Sequence, residues 1–95
     1  MSLNAAEHFA VDLLDLLGGM IAEPLTKGGR PDFDAIDLIE PQLSTGESRI
    51  LRQALDAWRG KEGSLIADIG RLDRDTAAKV VEAFNRAVSL QGWRG

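Results

Sequence analysis

The chain has 95 residues, 44% of them apolar and 27% charged, a balance that fits one folded domain and argues against disorder. It has no cysteine and a single histidine, His8, which removes disulfides, thiolate metal sites, thiol nucleophiles and any histidine-based triad within one chain. The net charge of −4 is uneven, with −6 over residues 1–45 and +2 over residues 46–95, so the chain is a poor general binder of phosphate backbone, and only its second half is not excluded from meeting one.

The apolar spacing is helical almost throughout and predicts an all-α fold. A single domain over residues 1–95 is expected, a small compact bundle of four to five helices with a long N-terminal helix and a C-terminal three-helix unit. The first helix is expected over 4–22, capped by Asn4 with Glu7 three positions on in the manner of a capping box. Leu3, Ala6, Ala10, Leu13, Leu17 and Met20 form one apolar stripe, broadened by Phe9 and Leu16, and Val11, Leu14 and Ile21 form a second on another side. Gly18-Gly19 interrupts the pattern. Each glycine costs roughly 1 kcal/mol against alanine in a helix interior, so the pair marks a break or kink, or else a close helix approach.

Residues 23–32, EPLTKGGRPD, read as loop, and Asp32 caps a short helix over 33–40 that Pro41 stops. The next helix is expected over 44–59. Ser44 and Glu47 form its capping box, and Ile50, Leu51, Ala54, Leu55 and Trp58 make its apolar face, with Trp58 as the main packing anchor. Ser64 opens a helix over 64–72 with Leu65, Ile66, Ile69 and Leu72 inward. Asp73 caps the last helix, 73–90, whose Ala77, Val80, Val81, Phe84, Ala87 and Val88 are expected in the core and whose Asp75, Lys79, Glu82 and Arg86 face water. Residues 91–95 read as a tail.

The segment IADIGRLDRDTAAKV, residues 66–80, resembles the helix-turn-helix segments of bacterial repressors. That resemblance implies a recognition helix in the major groove, with Arg71, Arg74, Lys79 and Arg86 as nucleic-acid contacts. Leu72 runs directly into Asp73, however, without the glycine-centred turn of that family, and Asp75 and Glu82 offset Arg74 and Lys79. The same wording resembles the helical repeats of magnesium-transporter cytoplasmic domains and flagellar switch proteins, which implies a structural hairpin. Leu43-Ser44-Thr45-Gly46-Glu47 resembles the signature loop of ABC-type ATPases, but no G-x-x-x-x-G-K-[ST] stretch exists to hold a triphosphate. An EF-hand starting at Asp32 would need glycine at Asp37 and glutamate at Leu43, so the acidic cluster reads as a solvated helix start.

No catalytic, cofactor-binding or metal-binding residue is therefore assigned, and neither a cofactor nor a small-molecule substrate is expected. No apolar run approaches the ~20 residues that span a bilayer, and the opening lacks the basic start of a secretory signal, so a cytoplasmic protein off the membrane is expected. The two-sided apolar first helix points to a non-enzymatic protein-protein interaction module, self-associating as a dimer or binding another protein. Its candidate interface is Val11, Leu14 and Ile21, with Trp93 in the tail beside Arg94. A small bacterial or phage accessory protein is the expected setting. The alternative is a DNA-binding regulator reading through residues 47–90.

Overall fold

The computed structural model describes residues 3–60 and 72–91. Among them are four α-helices, one 3-10 turn and a two-stranded ribbon, so the all-α bundle stands. The helix expected over 64–72 lies outside the described residues except for Leu72, as do Trp93 and the rest of the tail beyond Gln91.

Helix α1 spans Ala5–Ile21, and its start follows from the sequence. The Asn4 side chain accepts from the Glu7 amide at 2.8 Å, and the Glu7 carboxylate accepts from the Asn4 amide at 3.0 Å, satisfying two of the donors a helix start leaves open. Phe9, Ala10, Leu13, Leu14, Leu17 and Gly18 are buried, three neighbouring pairs spaced four apart. The two expected stripes are thus one broad stripe, and its far edge, Met20, is 45% exposed rather than in the core.

Gly18-Gly19 does not break the helix, which continues through both glycines to Ile21. The close approach is instead to the chain's own next turn. Ala22 takes the left-handed conformation (φ 57°) and the Glu23 amide donates back to the Gly18 carbonyl at 3.0 Å, the closure of a Schellman-type helix end. A Cβ on Gly18 would sit 2.7 Å from the Glu23 carbonyl oxygen, whereas one on Gly19 would meet nothing within 4 Å among the described residues.

The expected loop at 23–32 contains a hairpin. Strands β1, Thr26–Lys27, and β2, Arg30–Pro31, pair antiparallel with Thr26 opposite Pro31 and Lys27 opposite Arg30. Gly28 and Gly29 both have positive φ (62° and 75°), the backbone that a two-residue type I′ turn requires. Two cations directly opposite one another repel. The Arg30 guanidinium instead lies over the Trp58 ring, 5.1 Å from its centroid. Thr26 Oγ1 donates to Asp15 Oδ1 at 2.7 Å, so the ribbon is fastened to α1 as well.

Helix α2, Phe33–Ile39, is capped by Asp32, whose carboxylate accepts from the Ala35 amide at 3.2 Å. Pro41 does not simply stop the chain: it sits in the first turn of a 3-10 segment, Glu40–Gln42. Helix α3, Thr45–Trp58, begins at the expected Ser44–Glu47 capping box and buries Ile50, Leu51, Gln53 and Ala54. Trp58 ends this helix half-buried under Arg30 rather than anchoring the core. Helix α4, Arg74–Gln91, starts where Asp73 accepts from the Thr76 amide at 3.1 Å. It buries Val80, Ala83 and Ala87, while Val81, expected inside, is 42% exposed.

Helix α1 packs chiefly on α3 and then on α4. The core gathers Phe9, Leu13, Leu14 and Leu17 of α1, Leu25 of the segment before the ribbon, Ile36 of α2, Ile50, Leu51 and Ala54 of α3, and Val80, Ala83 and Ala87 of α4. Phe9 and Phe84 meet edge to face at 5.5 Å with an 88° interplanar angle.

Candidate functional site

On α1, Asp12, Asp15 and Leu16 are spaced three and four apart, and on α4 so are Lys79, Glu82, Ala83 and Arg86. Where the two helices pack, these stripes border a groove of about 330 Å³. Leu16 and Ala83 are its apolar part, and the rest of its lining is charged.

Arg86 organises that charge. Its Nη1 lies 3.7 Å from Asp12 Oδ2 and its Nη2 3.4 Å from Glu82 Oε1, one turn away on the same helix. The contact to Asp12 is an ion pair longer than a hydrogen bond, and Asp12 Oδ2 is buried with no hydrogen-bond donor among the described residues. Burial pushes the Asp12 carboxyl above the usual carboxylate range. Arg86 opposes that rise, Asp15 adds to it and His8 opposes it. At the head of α4 the Asp73 carboxyl is held below its ordinary range by hydrogen bonds from Thr76. Among the described residues no three acidic or histidine side chains gather to hold a metal ion, and no helix is long and apolar enough to cross a membrane.

The candidate interface residues fall differently from expectation. Leu14 is completely buried, in the same cluster as Leu25 and Ile36, so it belongs to the core and not to a surface seam. Ile21 packs against that core and Val11 is half-buried, while Trp93 lies outside the described residues. The surplus apolar side of α1 is covered by the chain itself. Leu25, from the stretch that reads as loop, joins the core that covers it.

Of the candidate nucleic-acid contacts, Arg74, Lys79 and Arg86 are exposed on α4 and Arg71 lies outside the described residues. At ~100° per residue, Lys79 and Arg86 share a side of α4, and Arg74 sits roughly 130° around from them. Lys79 and Arg86 border the groove with Asp12, Asp15 and Glu82. They form no purely positive stripe.

Two exposed apolar side chains escaped the reading of the sequence. Leu38 is 77% exposed and Phe33 44% exposed, both on α2. The signal was present: FDAIDLI places five apolar residues in seven, and one face of so short a helix buries only Ile36 fully, with Ala35 and Ile39 beside it. No protein-family model, characterised protein or solved structure matches this chain.

Proposed function

We propose that this chain is a non-catalytic helical module that acts by binding another protein through the outward side of α2. The observation that carries this reading is Leu38, a large apolar side chain 77% exposed on a helix whose opposite side is sealed in the core, with Phe33 also exposed at the start of the same helix. A side chain this apolar and this exposed offers area that a protein contact would remove from water. The absence of cysteine and the single histidine support a non-catalytic role, and the cysteine-free composition fits a reducing, cytoplasmic setting. Self-association through α1 loses its geometric support because Leu14 is interior. The nucleic-acid alternative draws less support, because Arg86 is paired with Asp12 and Glu82.

The test is a photo-cross-linking residue at position 38, compared with one at exposed position 52 on α3, in the cells that make the protein. A discrete adduct from position 38 that is missing from position 52 is expected. The same adducts from both positions, or none from position 38, would overturn the reading.

A further inference from the structure

The charge around Leu38 narrows the partner. With successive residues turned by ~100°, the outward arc of α2 runs in the order Phe33, Asp37, Asp34, Leu38, so two carboxylates lie between two apolar side chains. Glu40, which opens the 3-10 turn, is exposed next along the chain. Residues 31–48 contain five carboxylates and no lysine or arginine. Two of the five have local work: Asp32 caps α2 and Glu47 closes the Ser44 capping box. Asp34, Asp37 and Glu40 make no ion pair among the described residues.

A second copy of the chain is the wrong occupant for this face. A two-fold contact sets the same patch against itself and would bring these carboxylates together. Nucleic acid and anionic lipid are repelled for the same reason. Resting on the reading of α2 as a protein-binding face, we infer that its partner is an amphipathic helix of a different protein, with an apolar stripe bordered by lysine or arginine. Leu38 would meet the stripe, and Asp34 and Asp37, which lie to one side of it on the arc, would meet the cationic border. This is the division of labour seen where apolar seams carry affinity and flanking charges choose the partner.

Two fluorescently labelled synthetic helices with one leucine pattern, one flanked by lysines and the other by glutamates, provide the probe, read by anisotropy on the full chain. Saturable binding of the lysine peptide alone is expected. Leu38→Ala, and separately Asp34→Asn with Asp37→Asn, should each weaken it at least fivefold. Asp75→Asn with Glu82→Gln removes the same charge from α4 and should change it less than twofold. Equal loss from the α4 pair would mean attraction by net charge alone and would overturn the inference, as would binding of both peptides, of neither, or binding indifferent to Leu38→Ala. A Leu38-dependent dimer in sedimentation would also overturn it, by making a second copy the occupant. The position-38 adduct separates the two readings: an adduct with no lysine-peptide binding sinks only the charge rule, and no adduct sinks both.

Discussion

Adjacent glycines in α1 should respond to the same substitution with opposite signs. Gly19→Ala adds a methyl group into open space on an exposed helical position, so it gains helix propensity. Near a helix end that gain is about 0.5–1 kcal/mol, somewhat below the full interior difference between glycine and alanine. Gly18→Ala gains the same propensity but drives its Cβ to 2.7 Å from the Glu23 carbonyl oxygen. That oxygen is backbone and cannot rotate away. Relief requires the turn at residues 22–23 to move, which strains the bond from the Glu23 amide to the Gly18 carbonyl. Overpacking of this kind costs ~1–3 kcal/mol and a lost hydrogen bond ~1 kcal/mol, so a net loss of about 1–3.5 kcal/mol remains after the propensity gain. In a domain of this size ~1 kcal/mol moves Tm by roughly 4–8 °C. Thermal unfolding by circular dichroism should therefore raise Tm for Gly19→Ala and lower it for Gly18→Ala. A stabilised Gly18→Ala would refute the close approach at that residue, and two equal losses would refute the assignment of open space at Gly19.

Ser44→Ala removes the acceptor for the Glu47 amide and unties the reciprocal bond, and should cost about 1 kcal/mol in urea unfolding; no change would mean that the capping box is not needed to start α3. Asp12→Asn probes the partly buried Asp12 carboxyl. A group whose proton is held more tightly in the folded chain than in the unfolded one favours folding as pH falls through its folded value, and when ionised above that value it opposes folding. The variant should be the more stable at pH 7, and its advantage should shrink on acidification. Asp73 works with the opposite sign, since its lowered carboxyl supports folding at neutral pH and loses that support in acid, and it is common to both proteins. An Asp12→Asn protein weaker than its parent at pH 7 would show that the Arg86 pair outweighs burial.

The helix starts were legible because their physics is local. Asn4 with Glu7, Ser44 with Glu47, and Asp73 with Thr76 are each satisfied within three residues, so sequence spacing contains the whole interaction. The face of α3 was legible for a similar reason: Ile50, Leu51 and Ala54 fall on one side of a regular helix. What covers α1 was not. Leu14 meets its cover in a core completed by Leu25 and Ile36, eleven and twenty-two positions further on, and Leu25 stands next to a proline in a stretch whose composition says loop. On α4 side-chain size misled, since small Ala83 is buried where α4 meets α1 while Val81 turns outward. The groove needed that same packing before Asp12 could be set against Arg86.

The ribbon between α1 and α2 is tied to the core through its own backbone. The Asp32 amide donates to the Leu25 carbonyl at 2.9 Å, and Leu25 itself is 1% exposed. Freeing that amide by unzipping the ribbon pulls on Leu25, a residue of the same core that holds Leu14. Amide hydrogens in ordinary connections exchange through small local fluctuations, whereas those tied to buried structure wait for larger ones. The Asp32 amide should therefore exchange with those of the helices, as expected where the segment that joins α1 to α2 unfolds with the core rather than hinging two halves.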